Sequence, residues 1–254
     1  MDKIAVVADM IRESKRVVVF TGAGVSTESG IPDFRSPGGV WERYDPNELT
    51  YQKFLSSDTS REKYWAYHKE VWYPMKQAEP NPGHYAIAEL DRMGKLDCVI
   101  TQNVDYLHQR AGIPDDKVIE LHGTIHWVNC LGCQKRYLRE EIQRRLEEGV
   151  KIPTCDDCGG YLKPATVAFG QPMPQWETSE AEHRSAACDL FIVGGSSLVV
   201  YPAAQMPVIA KHSGAKLVII NLAPTPHDHY ADVVINEKTG VVLSQVVALL
   251  KAKE

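Results

Sequence analysis

No block of Lys and Arg runs through this chain, and its 28 basic residues are outnumbered by 33 acidic ones, for a formal net charge of −5. Binding that rests on neutralising phosphates needs clustered positive charge, so direct nucleic-acid binding is not expected. Long apolar runs are also missing. Residues 190–210 carry no formal charge, but Gly194, Gly195, Ser196, Ser197, Pro202, Gln205 and Pro207 interrupt them. A membrane span needs about 20 predominantly apolar residues; a buried strand, a loop and a helix are expected here instead, with no membrane partner. The opening Met1-Asp2-Lys3-Ile4 shows no basic region leading into an apolar stretch and a small-residue cleavage site, which predicts a cytoplasmic location. In that setting the six cysteines read as metal ligands or buried thiols, not as a disulfide framework. No internal repeat or low-complexity tract is visible.

What is present is ordinary globular material, 254 residues with 44% hydrophobic and 24% charged. A chain of this length buries roughly 70–75% of its unfolded surface, so any metal serves a local purpose. Short β-branched runs at 16–21, 98–101, 118–121, 190–194, 217–221 and 232–235 predict strands buried on both faces. Helical periods lie between them at 4–14, 84–93, 202–212 and 241–251. The alternation predicts an α/β fold, a Rossmann-like parallel sheet covered by helices. Residues 36–83 and 126–168 break it, and they are expected to form a second, smaller helical and zinc-binding domain. Spans 1–35, 84–125 and 169–254 would then make up the larger domain. The charged stretch 137–149, apolar at Leu138, Ile142 and Leu146, predicts an amphipathic helix with a solvated face.

The first strand runs into Thr21-Gly22-Ala23-Gly24-Val25-Ser26. Closely spaced glycines let backbone N–H groups approach a phosphate, and a following helix N-terminus would add a positive dipole end. The dinucleotide fingerprint needs a third glycine where Thr27 stands, so a tight turn without a ligand is the competing reading. Cys130, Cys133, Cys155 and Cys158 form two C-x-x-C pairs separated by 21 residues, which predicts a closed tetrahedral zinc site with a structural purpose. Cys98 and Cys188 belong with apolar strands and read as inert core thiols.

Thr101-Gln102-Asn103-Val104-Asp105-Tyr106-Leu107-His108 follows one apolar strand and His122-Gly123 follows the next. Polar clusters at successive strand ends suit the edge where open α/β sheets bind ligands, although one such cluster alone would serve as a helix cap. His122 can take up a proton near neutrality. His108 is expected to be a packing or hydrogen-bonding residue, and His227 and His229 surface residues. Gly194-Gly195-Ser196-Ser197-Leu198 and Asn221-Leu222 end two further strands. A nucleotide at this edge is the economical reading.

Taken together, these motifs resemble the sirtuin family of NAD-dependent protein lysine deacylases. The likeness rests on Gly22-Ala23-Gly24-Val25-Ser26, Gly30-Ile31-Pro32-Asp33-Phe34-Arg35, Thr101-Gln102-Asn103-Val104-Asp105, His122-Gly123, the cysteine quartet, Val167-Ala168-Phe169-Gly170 and Gly195-Ser196-Ser197-Leu198. Ser196 stands where Thr is common, and Gln171 where Glu is common. The resemblance implies that an acyl-lysine displaces nicotinamide from NAD, giving free lysine, nicotinamide and acyl-ADP-ribose. It assigns His122 as general base, Asn103 to the ribose and a water, Asp105 with Ile31 to the nicotinamide amide, and Phe34 to the nicotinamide face. Gly22, Ala23, Gly24, Ser26, Thr27, Asp33, Arg35, Gln102, Val104, Gly195, Ser196, Ser197, Asn221 and Leu222 match cofactor contacts, and Gly240 and Val241 the adenine end. The acetylated peptide would lie as an added strand between Val167, Phe169, Gly170 and Leu198, Val199, Val200. Family members that prefer acidic acyl groups carry Tyr and Arg three residues apart on the helix lining the acyl pocket. Lys63-Tyr64-Trp65-Ala66-Tyr67-His68-Lys69-Glu70 lacks that pair, although His68 or Lys69 could supply a cation in another register. The alternatives are a zinc-containing dehydrogenase, a protein ADP-ribosyltransferase and a non-catalytic zinc ribbon on a nucleotide-binding fold.

Overall fold

The computed structural model describes residues 2–252. Met1, Lys253 and Glu254, the outer ends of the expected larger domain, lie outside the described residues. The strands are β1 (Val17–Thr21), β2 (Leu96–Thr101), β3 (Val118–Glu120), β4 (Gly123–Cys130), β5 (Arg136–Leu138), β6 (Leu162–Thr166), β7 (Leu190–Gly194), β8 (Lys216–Ile220) and β9 (Val233–Ile235). The helices are α1 (Lys3–Glu13), α2 (Val40–Arg43), α3 (Tyr51–Ser56), α4 (Asp58–Gln77), α5 (Pro82–Arg92), α6 (Leu107–Arg110), α7 (Arg139–Glu147), α8 (Gln175–Ala187), α9 (Met206–His212) and α10 (Thr239–Lys251).

Six strands form one sheet in the order β3-β2-β1-β7-β8-β9, parallel throughout. Parallel neighbours require crossovers, and the crossing helices cover both faces, which is why the β-branched runs are buried. Alternation along β1 divides the core. Val17 and Val19 pack with α1, α5 and α10, while Val18 and Phe20 pack with α8 and α9. From β1 the chain builds outward to β2 and β3, then returns past β1 to β7, β8 and β9. The connections after β1 and β7 therefore lead to opposite sides of the sheet, and the carboxyl edge at this reversal is where open α/β sheets bind ligands.

The other strands make an antiparallel sheet, β5-β4-β6, with its own core of Phe54, Trp65, Val128, Tyr137, Ile142 and Leu162. In α7, Glu140 and Glu141 open the helix and Arg144 and Arg145 close it, which complements the helix dipole. The stretch read as one helix over 137–149 is divided: Tyr137 and Leu138 belong to β5, and Leu138 is exposed. Nor is the polar face wholly solvated. Arg139 is fully buried between the rings of Trp65 and Trp72, 5.6 and 5.0 Å from their centroids, and Gln143 is buried beside it. Aromatic faces on α4 accept the guanidinium, a contact that no local period reveals. The helix expected over 202–212 opens as a 3-10 turn, Ala203–Gln205, before α9 begins.

Candidate active site

β1 ends at Thr21, and the chain turns through Gly22 into a seven-residue 3-10 segment, Ala23–Ser29, in place of the α-helix expected after the glycine loop. The loop after β7 lies against it backbone to backbone. Gly24 N–H donates to the Gly195 carbonyl at 2.9 Å, and a Cβ on Gly24 would fall 2.7 Å from that oxygen. Gly195 sits at φ +62° with the Val25 nitrogen on the side a Cβ would occupy. Side chains at either position would part the loops, so these glycines serve packing as well as ligand access. Among the described residues, no protein group accepts the N–H of Ser196 or Ser197. Free amides of this kind at a strand edge suit phosphate oxygens.

Asn103 and its neighbours join this edge to the β2 loop. Asn103 Nδ2 donates to the Gly22 carbonyl and to Ser26 Oγ, each at 3.1 Å, and the Ser26 hydroxyl donates to Asp105 at 2.7 Å. Burial pushes the Asp105 carboxyl up, against the hydrogen bonds from Leu107 and Ser26. Gln102 Nε2 donates to Ser196 Oγ at 2.8 Å, tying the β2 and β7 loops together.

The Gln102 carbonyl lies 3.0 Å from His122 Nδ1. A carbonyl only accepts, so the ring proton is on Nδ1 and the lone pair on Nε2. Burial pulls the His122 pKa below its ordinary value, and the Gln102 bond offsets this only in part. The imidazole is therefore neutral near pH 7, a base with its free nitrogen defined. Val167 N–H donates to the His122 carbonyl at 2.8 Å, and Val104 accepts from Ile125 at 3.0 Å. These bonds hold the start of β4 against the site.

Phe34, Trp41 and Phe169 form an aromatic row, with centroids 5.1 and 5.8 Å apart, and both Phe34 and Phe169 are exposed. Tyr51 N–H donates to the Phe169 carbonyl at 2.9 Å and Gln52 to that of Gly170 at 3.0 Å. Asp33 accepts from the Arg35 and Ser36 amides at 2.9 and 2.7 Å. Its burial raises the pKa, but these bonds and the Ser36 hydroxyl leave it lowered. Ile31 is buried against Ala78 and Leu107. Leu198 has φ +54°, and Val199 after it is exposed.

Thr27 bonds only within its own loop, to the Gly24 carbonyl at 2.9 Å. Asn221 and Leu222 follow β8, and Leu222 and Val241 are exposed. These four lie outside the hydrogen-bonded centre. Gly240 is tied in by Glu28, which accepts its N–H at 3.2 Å. Sequence reasoning missed Glu28, Trp41 and Asn81, whose Nδ2 donates to the Val25 carbonyl at 2.7 Å. Asn81-Pro82-Gly83-His84 carries a capping signal that marks Asn81 as a helix start, but its grip on the glycine loop has no local signature.

The four cysteines do converge, with all sulfurs within 4.8 Å of one another. Cys130 and Cys158 are 3.5 Å apart, and Cys133 and Cys155 3.6 Å. Tetrahedral zinc with Zn–S of about 2.3 Å separates its sulfurs by roughly 3.8 Å, so the quartet fits one ion. A Cβ on Gly160 would come 3.0 Å from Cys130 Sγ, which explains the small residues around the knuckles. β4 carries the chain from Gly123 to Cys130, up to about 26 Å of strand between His122 and the cysteine quartet.

Cys98 and Cys188 are buried free thiols, both pushed up by burial, Cys188 to about 12. His108 is buried as expected and lies 2.9 Å from Thr21 Oγ1. His227 departs from its surface expectation, being buried among Tyr201 and Tyr230, whereas His229 is exposed. Flanking prolines and Asp228 gave no sign of those aromatic neighbours.

A sheet with this strand order, a glycine-lined edge and a zinc-type cysteine cluster on a small antiparallel sheet define a nucleotide-binding α/β protein with an inserted metal-binding unit. Residues 22–202 match the profile of the Sir2 family. The chain is 47% identical over 251 residues to NAD-dependent protein deacylase 2 of Archaeoglobus fulgidus, covering 98% of this chain and 97% of that protein. It is 47% identical over 239 residues to NAD-dependent protein deacetylase 1 of Bradyrhizobium diazoefficiens, covering 94% and 93%. Among solved structures, Sir2 with a p53 peptide and NAD+ superposes with a TM-score of 0.90 at 41% identity, covering 98% and 99%. A Sir2 variant with deacetylated p53 peptide and 3′-O-acetyl-ADP-ribose gives 0.91 at 42%, covering 97% and 98%. The chain belongs to the Sir2 family. No helix among the described residues is long and apolar enough to cross a membrane.

Proposed function

We propose that this chain is an NAD-dependent protein lysine deacetylase, with His122 as its general base. The observation that carries the reading is the His122 arrangement: Nδ1–H held by the Gln102 carbonyl, a neutral ring, and Nε2 left to accept a proton. NAD, when bound, would supply the ribose–nicotinamide bond: the acetyl oxygen takes the place of nicotinamide at the ribose, and one water is consumed as the acetyl group passes to a ribose hydroxyl, so that the products are nicotinamide, free lysine and acetyl-ADP-ribose. His122 draws a ribose hydroxyl proton onto Nε2, and its Nδ1–H bond to Gln102 steadies the ring as charge develops. Asn103 orients the ribose while its own amide stays anchored on Gly22 and Ser26. Asp105 together with Ile31 receives the nicotinamide amide. Phe34, backed by Trp41, covers the nicotinamide face and hinders return of the leaving group.

Ser196, Ser197 and the Gly22–Gly24 loop hold the phosphates. Asn221, Leu222, Gly240 and Val241 serve the adenosine end. The acetylated peptide or protein adds as a strand between Val167–Gly170 and Leu198–Val200, where exposed Phe169 and Val199 face it with little sequence selectivity. One zinc on the cysteine quartet is structural, since four thiolates leave no open position for substrate. The boundaries 1–35, 84–125 and 169–254 for the nucleotide-binding domain and 36–83 and 126–168 for the small domain belong to the same reading. So does a cytoplasmic location, which the free thiols Cys98 and Cys188 favour.

Mass spectrometry of an acetyl-lysine peptide incubated with NAD tests the reaction. Loss of acetyl from the peptide, matched by nicotinamide and acetyl-ADP-ribose, is the expected result. A peptide or protein that gains ADP-ribose would indicate ADP-ribosyl transfer, and NADH absorbance would indicate a dehydrogenase.

A further inference from the structure

Two enclosed histidines stand behind the site and take no part in the roles assigned above. His84 lies in the first turn of α5 and His108 in α6, with ring centroids 4.9 Å apart. Their tautomers follow from their partners. Asn81 N–H donates to His84 Nδ1 at 3.3 Å, so the proton of the neutral His84 ring is on Nε2. Thr21 Oγ1 donates its proton to Thr101 Oγ1 at 2.9 Å, and Thr101 Oγ1 also accepts the Asn103 N–H at 3.0 Å. Thr21 Oγ1 has then only acceptor capacity for His108 Nε2, 2.9 Å away. His108 is thus protonated on Nε2 as well, with its lone pair on Nδ1.

One buried donor and one buried acceptor remain without partners, His84 Nε2–H and His108 Nδ1. They are complementary, they belong to adjacent rings, and a single bond would satisfy both. Burial favours the neutral form of each ring, holding His84 near 4 and His108 well below its ordinary value, where His84 adds to the effect.

We propose that His84 donates to His108, directly or through one bound water, completing a hydrogen-bond relay that runs from the Asn81 cap to Thr101 and meets the Asn103 amide there, and that this relay positions Asn103 for the reaction. Asn81, His84, His108 and Thr21 donate in turn toward Thr101, whose Oγ1 is the shared acceptor of the Thr21 hydroxyl and the Asn103 amide. At its far end the Asn103 amide closes on Thr101. At its near end Asn81 Nδ2 holds the Val25 carbonyl at 2.7 Å and Ser29 Oγ at 3.0 Å. The glycine loop, the start of α5 and the end of β2 thereby move as one unit. His84 and His108 are positioning residues. The kinetic consequence rests on the deacetylase reading, whereas the tautomers do not.

Nitrogen-15 NMR of the histidine rings in the unaltered chain at pH 7 tests the relay without turnover. Both His84 and His108 should show the Nε2–H tautomer, with a hydrogen-bonded His84 Nε2 proton. An Nδ1–H or charged His108 would overturn the relay. For positioning, His108→Leu removes both bonds and His108→Gln restores a donor and an acceptor. With an acetyl-lysine peptide and NAD, His108→Leu should lower kcat by about 10–100-fold while peptide KM changes little, and His108→Gln should recover most of the loss. A folded His108→Leu variant with unaltered kcat, or a glutamine variant no better than leucine, would sink the positioning role. If the unaltered chain removes no acetyl group, the proposed function fails, and the tautomers still decide the relay.

Discussion

With Nδ1–H on the Gln102 carbonyl and burial lowering its pKa, His122 remains a free base at pH values where an exposed histidine is half charged. In the proposed reaction the acid limb of kcat/KM should therefore fall below pH 6.5, since the working form is the neutral one and is lost only as pH drops through the lowered pKa. A pH–rate profile with its acid limb at pH 7 or above would contradict this. His122→Ala should lower deacetylation by about 10²–10⁴-fold while NAD still binds. Exchange of labelled nicotinamide into NAD should survive better, because the base acts after nicotinamide has left. Equal loss of both activities in a folded variant would place His122 at an earlier step.

Acyl preference also turns on single side chains. Neither cation suggested for α4 is available: His68 is buried and kept neutral by burial, Arg139 and Lys163, while Lys69 donates to the Leu146 carbonyl at 2.8 Å. Lys163 is itself buried, lowered to about 7, and directed at the carbonyls of Pro164 and Thr166. Tyr64 is buried and Tyr67 stacks edge-on against Tyr44. A succinyl carboxylate entering beside Phe34, Val167 and Phe169 would lose hydration without a cationic partner, a penalty of several kcal/mol. Acetyl should exceed succinyl in kcat/KM on one peptide by about 100-fold or more; equal values would show that the pocket is cationic after all.

Among the elements, the two glycine loops and the cysteine knuckles are the least tolerant of change. Gly195→Ala places a Cβ in a left-handed backbone, which costs about 1–2 kcal/mol, and drives it into the Val25 nitrogen besides. Calorimetry should show a lower Tm and weaker NAD binding together, and an alanine variant that binds NAD normally would mean that the loops can part without harm. Cys130→Ala should reduce zinc content and stability in step, because metal binding and folding of such a site are coupled. A zinc-free variant with unchanged Tm and activity would remove the structural role. These elements were partly legible beforehand. The C-x-x-C pairs and strand-end glycines have fixed local spacing, whereas the contact of Gly24 with Gly195 joins loops 171 residues apart and leaves no mark on either.

Considered as a folding unit, the molecule holds four buried histidines among the described residues, His68, His84, His108 and His227, below their ordinary pKa by burial. Their folded pKa values lie below the unfolded value of about 6.5, so the unfolded chain binds protons first and stability falls as pH drops below that point. For His84, lowered to about 4, the loss reaches about 3 kcal/mol. Glu120, raised to about 7 chiefly by burial, acts in the opposite sense and gains a similar amount as it takes up its proton. His68 and His108 are left unopposed by it, and Tm should decline between pH 6.5 and 4. Scanning calorimetry with a flat Tm across that range would show that the rings are solvated.

The order of strands in the sheet could not be read from the chain, whereas the alternation of strand and helix, the polar and glycine-rich strand ends that converge around His122, and the cysteine quartet could. Each rests on a short-range pattern: alternation buried on both faces, glycine beside a strand end, thiols three apart. Folding settled what those patterns leave open. Leu138 has the spacing of a buried helical residue yet is exposed in β5, and Arg139 next to it is buried because Trp65 and Trp72, some 70 positions earlier, offer their ring faces. His227 is likewise enclosed by Tyr201 and Tyr230. Whether a polar side chain meets water or an aromatic ring depends on partners brought together only when the helices close over the sheets, and hydrogen-bond direction, as at His84 and His108, is assigned only once those partners are in place.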